Sequence, residues 1–284
     1  TDLAQITGSP TMKTKLKVPQ TISIVGGRGK MGSLFAEGFV DEGYEVLVSD
    51  AGCTNNIKLA EQGDVVIISV PLKKTEEVIR QVGPHVRERA LLTDLSSVKM
   101  KPVAAMLQHS QAEIIGGHPL FGPDADLHGQ NMVLCPTREE GYLSWYKKTL
   151  ESLGIKITLM DPEEHDKTMA AVQCLTYISN IAFSHALAEM GYKSIPENLT
   201  APAYLLRLSS AAKMFVQDPS LYADILSENP FAEEAMRAYR EAVKKVDALM
   251  QEPEKKGLEG LLGSLRKEID CPYLHKRLVK IIDG

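Results

Sequence analysis

Two groups of residues in this chain have the types and spacing to do chemistry. The first is the run Val25-Gly26-Gly27-Arg28-Gly29-Lys30-Met31-Gly32, in which Gly27, Gly29 and Gly32 fit G-x-G-x-x-G. Glycines at that spacing supply a tight turn, backbone approach to a pyrophosphate and close helix–strand packing. A helix beginning there would point free N–H groups and a positive dipole end at phosphates. Arg28 and Lys30 could sit over the pyrophosphate or simply be solvated, and Met31, which opens the apolar stripe of the helix, is expected beside the cofactor. Asp50 follows at the ~20-residue distance expected of a carboxylate that binds a ribose 2′-hydroxyl. Such a carboxylate repels a 2′-phosphate, so the expected cofactor is NAD rather than NADP.

The second group lies where strands should end. His118, between Gly117 and Pro119, is the candidate proton acceptor for a hydroxyl-bearing carbon that loses hydride, with Gly117 allowing close approach of a ligand. Its plainer role is a hydrogen bond within the loop. Ser96 and Ser97 could hydrogen-bond a substrate hydroxyl or cap the next helix. Val70 and Pro71 close another strand and are expected beside the cofactor. His165 and Asp166 open a long helix with Gln173, a candidate substrate-binding residue, two turns on, and a first-turn His is most often solvated or capping. Arg207 and Lys213 could bind a dianionic substrate. Six residues apart on one helix, they point to different faces.

The elements that must hold these residues follow from periodicity. β-branched runs at Ile22–Val25 and Val46–Val48 flank a helical pattern over Met31–Val40. Further strands are expected at Asp64–Val70, Ala90–Asp94, Glu113–Gly116, Asn131–Cys135 and Ile155–Leu159, with helices at Lys73–Gln81, Met100–Gln108 and Tyr142–Leu153. Alternating strands and helices over 21–160 predict an α/β fold, a Rossmann doubly wound, mainly parallel sheet. Its ligand belongs beyond the carboxyl ends of the strands. That rule selects the loops Ser69–Leu72, Asp94–Lys99 and Gly117–Asp126.

From 161 to 284 the pattern is helical throughout. Asp161-Pro162-Glu163-Glu164 is a helix start, followed by helices over His165–Met190, Ala203–Val216, Pro219–Leu226, Ala232–Met250 and Leu258–Ile282. The first is apolar nearly all round, which predicts burial and a homodimer partner. This half is expected to serve substrate binding and dimerisation.

Composition bounds the rest. The 284 residues are 44% hydrophobic with a net charge of −5, so no basic footprint for nucleic acid or an anionic membrane exists. No apolar run approaches the ~20 residues of a membrane span. Cys53, Cys135, Cys174 and Cys271 are scattered and read as reduced thiols of a cytoplasmic enzyme, with no metal site implied. Residues 1–20 have the composition of a linker or tail.

The motifs V-G-G-R-G-K-M-G (25–32), I-S-V-P (68–71), D-L-S-S-V-K (94–99), G-H-P-L-F-G-P-D (117–124), E-H-D-x-x-M-A-x-V-Q (164–173) and Q-D-P-S-L-Y-A-D-I (217–225) run in order along the chain. Together they resemble the prephenate/arogenate dehydrogenase family, and within it the dehydrogenase half of the fused chorismate mutase–prephenate dehydrogenases, with no mutase domain expected here. The resemblance implies NAD-dependent oxidative decarboxylation of prephenate to 4-hydroxyphenylpyruvate in tyrosine biosynthesis. It implies that His118 takes the proton of the ring hydroxyl and that Ser97 assists. One departure is Lys213, where an Arg is expected to clasp a substrate carboxylate; Lys213 is favoured over Arg207 for that task. Arogenate is an alternative substrate. A β-hydroxyacid dehydrogenase using Lys167, or an NAD-responsive regulator, would share the plan.

Overall fold

The computed structural model describes residues 17–50, 55–192, 195 and 197–282. Residues 1–16 of the expected tail and Cys53 lie outside the described residues. The chain forms two compact units, the first ending at Asp166 and the second beginning at Lys167.

The first unit is built on seven strands: β1 (Thr21–Val25), β2 (Glu45–Ser49), β3 (Val65–Ile68), β4 (Leu91–Asp94), β5 (Glu113–Pro119), β6 (Asn131–Arg138) and β7 (Lys156–Leu159). Their order is β2-β1-β3-β4-β5-β6-β7. Neighbours are parallel throughout except β5 and β6. Strands β3 and β4 are buried along their whole length, as strands covered on both faces must be. One face carries α1 (Lys30–Asp41) and α5 (Tyr142–Ser152), which bring Phe35, Phe39, Trp145 and Tyr146 onto the sheet. The other carries α3 (Leu72–Val82) and α4 (Met100–His109), with Val78, Ile79, Val103 and Met106. This is a doubly wound sheet of the Rossmann kind. The β5–β6 reversal has a simple cause: residues 120–130 contain no helix, and a parallel return needs a crossover of a dozen or more residues.

Two local readings are corrected here. The strand expected at Glu113–Gly116 runs on to Pro119, so His118 is a strand residue paired opposite Val133. A short helix not anticipated from the pattern, α2 (Asn56–Gln62), connects β2 to β3.

The described part of the second unit is helical, with α7 (Leu175–Glu189), α8 (Pro202–Phe215), α9 (Pro219–Glu228), α10 (Ala232–Met250), α11 (Lys256–Glu268) and α12 (Cys271–Ile282). The expected continuous helix from His165 to Met190 is interrupted. It begins as α6 (Pro162–Met169), passes through a π-helical turn at Ala170–Cys174 and continues as α7. Asp161 caps its start by accepting the Glu163 N–H at 2.8 Å. The helix expected over Leu258–Ile282 is two helices, because Pro272 cannot continue one and Asp270 caps the next, accepting the Tyr273 N–H at 3.2 Å. Within the single chain α7 is not a buried helix: only Asn180 reaches full burial, and Ile181 is exposed.

The aromatic layer under α1 should dominate the stability of the first unit. Phe35 has no exposed surface and stacks on Phe121 at 6.3 Å. Phe35→Ala is expected to lower the unfolding free energy by about 3–5 kcal/mol in urea titrations. A loss below about 1 kcal/mol would mean that the layer collapses to fill the space.

Candidate active site

The glycine run leaves β1 and enters α1 by a turn whose shape the fold itself demands. Gly26 has φ +82°, and its N–H donates to Ser49 O at 2.8 Å, locking the turn to the end of β2. A Cβ at Gly26 would stand 2.2 Å from Ser69 O, and one at Gly32 would stand 2.5 Å from Gly26 O. Gly29 differs. A Cβ there would meet only Gly26 O, at 3.2 Å, so internal packing asks little of it. It is also the N-cap of α1, and no side chain caps the helix. A small, uncapped helix start on the carboxyl side of β1 suits a phosphate. The residues therefore fit a dinucleotide.

Around this turn, Asp50 follows β2 with its carboxylate exposed, and Arg28 Nη1 stands 3.8 Å from it. Val70 packs against Gly26, and Pro71 is the N-cap of α3. Lys30 is an exposed first residue of α1, whereas Met31 packs onto the core.

On the same carboxyl side of the sheet lies a buried polar cluster. Asp94, the last residue of β4, pairs with Lys99, and neither side chain has exposed surface. Lys99 Nζ donates to Asp94 Oδ2 and to Gly117 O, both at 2.5 Å. Asp94 Oδ1 accepts the Gly117 N–H at 3.2 Å. The pair thus holds the residue next to His118 by both its backbone groups. Gly117 is glycine for the same reason: a Cβ would lie 2.6 Å from Asp94 O. The close approach seen here is that of β4. Ser96 belongs to this loop, its hydroxyl reaching Asp94 Oδ2 and Val98 O. Ser97, next along, is half-buried.

His118 is 2% exposed, and its Nδ1 lies 2.8 Å from His165 Nε2. His165 Nδ1 in turn lies 2.7 Å from Asp166 Oδ1. Asp166 also accepts the backbone N–H groups of Lys99 (2.8 Å, Oδ1) and Met100 (3.0 Å, Oδ2), so it caps α4 from a distant part of the chain. The expectation that His165 is solvated is overturned, for both His165 and Asp166 are fully buried. Burial foremost, then His165 and Lys99, holds the His118 pKa well below its usual value. At neutral pH His118 is an uncharged imidazole.

The candidates beyond Asp166 belong to the second unit. Arg207 on α8 lies with its guanidinium carbon 5.3 Å from the centre of the Phe183 ring, while Lys213 is exposed in the last turn of that helix. Gln173 is half-buried in the π-helical turn. Lys167 Nζ sits 5.4 Å above the Phe231 ring. Sequence reasoning did not find the partners of His118, and the only available signal was the pair of adjacent ionisable residues in E-H-D.

Comparison with known proteins agrees with this layout. The family model described as prephenate dehydrogenase, nucleotide-binding domain, matches residues 37–159, and that for the prephenate dehydrogenase dimerization domain matches residues 161–265. The chain belongs to the prephenate/arogenate dehydrogenase family. A probable arogenate/prephenate dehydrogenase of Methanocaldococcus jannaschii is 32% identical over 270 residues, covering 87% of this chain and 60% of the relative. The T-protein of Haemophilus influenzae is 36% identical, covering 78% and 61% respectively. The chain therefore spans about three-fifths of the length of these dehydrogenases. Among solved structures, the prephenate dehydrogenase of A. aeolicus in complex with hydroxyphenyl propionate and NAD+ has a TM-score of 0.71. It shares 23% identity and is covered over 98% of its length by 89% of this chain, a likeness of fold.

The two glycines of the motif should behave differently. Gly32→Ala puts a methyl against rigid backbone and should cost about 1–3 kcal/mol in thermal or urea unfolding. Gly29→Ala should leave stability within about 0.5 kcal/mol while weakening dinucleotide binding in a calorimetric titration. Equal binding by both variants and wild type would remove Gly29 from the phosphate site.

Proposed function

We propose that this chain is an NAD-dependent prephenate dehydrogenase that converts prephenate to 4-hydroxyphenylpyruvate and carbon dioxide. The observation that carries this reading is His118: a neutral, fully enclosed imidazole at the carboxyl end of a central strand, backed by a second histidine. Gly27, Gly29 and Gly32, with the start of α1, would bind the pyrophosphate, and Asp50 would bind the adenosine ribose. Bound NAD+ supplies the hydride acceptor. His118 accepts the ring hydroxyl's proton, Ser97 hydrogen-bonds the same oxygen, and burial keeps water from competing for both. Lys213 is the cation assigned to a substrate carboxylate, because Arg207 already faces an aromatic ring. A Lys167-based β-hydroxyacid dehydrogenase is disfavoured on similar grounds, since that ammonium lies over Phe231.

The same reading makes the enzyme a cytoplasmic homodimer. Among the described residues, Cys135 and Cys271 are free thiols, as a reducing compartment would keep them. The helical unit presents Val172, Ile181, Leu205 and Leu208 on its surface. Apolar residues so gathered favour a second copy of the chain over water.

Steady-state assays with prephenate and arogenate, each with NAD and NADP, test the assignment. Prephenate with NAD should give the highest kcat/KM, and a preference for arogenate or NADP would redirect it. His118→Asn should lower turnover by roughly 10²–10⁴-fold with dinucleotide binding retained. Near wild-type turnover in that variant would sink the role of His118. Sedimentation equilibrium should return twice the chain mass, and a monomer would refute the dimer.

A further inference from the structure

The Asp166–His165–His118 chain is determined donor by donor. Both Asp166 oxygens accept a backbone N–H, Oδ1 from Lys99 and Oδ2 from Met100. Two backbone donors, one on each oxygen, form the pattern that suits a carboxylate acceptor. His165 Nδ1 therefore carries its hydrogen and donates it to Asp166. With His165 neutral, its Nε2 carries a lone pair and His118 Nδ1, 2.8 Å away, is the donor. The lone pair of His118 is left on Nε2. One carboxylate has decided both tautomers.

We propose that Asp166 and His165 are positioning residues that hold His118 as the tautomer whose Nε2 accepts the substrate proton, and that they share the charge this creates; the proposal rests on the reading of His118 as base. The ring C–H bond breaks with its electron pair passing to the oxidised nicotinamide, and the C–CO2 bond breaks with its pair entering the ring. The hydroxyl O–H bond breaks towards His118 Nε2, and the Nδ1 hydrogen shifts towards His165 Nε2, beside the Asp166 carboxylate. Both shifts reverse when the aromatic ring oxygen takes the proton back. The net reaction therefore neither releases nor consumes a proton. A proton that is lent and returned needs no route to solvent, which agrees with the complete burial of His165 and Asp166.

The groups acting on His118 are His165, which leads on to Asp166, and Lys99 before α4, which is paired with Asp94 of β4 and lies near Cys135 of β6. Burial pushes the Cys135 thiol up to about 12, so it stays neutral across the working range. Activity is lost on the acid side as His118 becomes protonated. Removing the Asp166 charge disfavours that cation, so the acid limb should move to lower pH.

Three variants and one spectrum test this. Asp166→Asn removes the charge and must turn its NH2 against the backbone N–H of Lys99 or Met100, loosening the hold on His165, and should lower kcat by roughly 10²–10⁴-fold while moving the acid limb down. His165→Leu should lose a similar factor. His165→Gln, which can still accept from His118 and donate to Asp166, should recover activity to within about tenfold of wild type. Melting curves and NAD titration establish that each variant is folded. Because Asp166→Asn also weakens the cap of α4, the histidine 15N spectrum of the wild type gives an independent reading, in which His118 and His165 should both be Nδ1–H tautomers. An Nε2–H tautomer at His118 would overturn the proposal. So would wild-type kcat and an unmoved acid limb in Asp166→Asn and His165→Leu alongside an inactive His118→Asn, which leaves the base itself standing. An active His118→Asn would remove both.

Discussion

A lysine and an aspartate without exposed surface meet where β4 ends, and the geometry of the first unit's polar cluster depends on them. Two charges taken out of water cost several kcal/mol each unless every donor and acceptor is matched. Here the matching is with the chain itself. Lys99 spends its ammonium on Asp94 and Gly117 O, and Asp94 accepts from Lys99, Ser96 and the Gly117 N–H. The pair cannot loosen without leaving a buried charge unpaired, so the end of β5 is held as firmly as the core. His118 follows directly in the strand.

The same economy recurs in Asp166. Its carboxylate satisfies the first backbone donors of α4 and also engages His165. Helix starts leave orphan N–H groups, and α4 is provided for by a residue far along the sequence rather than by its own N-cap. Stability and side-chain orientation are thereby joined in one group. Any change at Asp166 acts on both, which is why tautomer and fold need separate readouts.

The glycine turn works under a different constraint. Most of its glycines are needed by the protein, because the β1–α1 turn presses against Ser69 and against itself. Gly29 alone is cheap to replace internally, which makes it informative about a ligand. Asp50 and Arg28 stand together at its rim, a carboxylate that would repel a 2′-phosphate beside a cation that would attract one. Their opposition makes cofactor choice a matter of balance rather than of Asp50 alone.

Much of the α/β half was legible from local pattern. The β-branched runs, the glycine spacing and the helix start at Asp161 are short-range signals, and burial of the sheet on both faces follows from continuous apolar strands such as Val65–Ile68. The helical half was legible as helices and in most of its breaks, but two interruptions were not. The π-helical turn at Ala170–Cys174 and the break at Ile269–Asp270 depend on packing and on one capping side chain. Residue types alone marked His118 as a candidate base and Gly27–Gly32 as a turn. Only the tertiary structure decided that His165, read as solvated, lies against His118, that Lys99 is a buried clamp, and that Gly117 makes room for β4. The physical reason is separation along the chain. His118 and His165 are brought together by folding, and no local periodicity encodes which distant carboxylate will supply a buried ring with its hydrogen-bond partner.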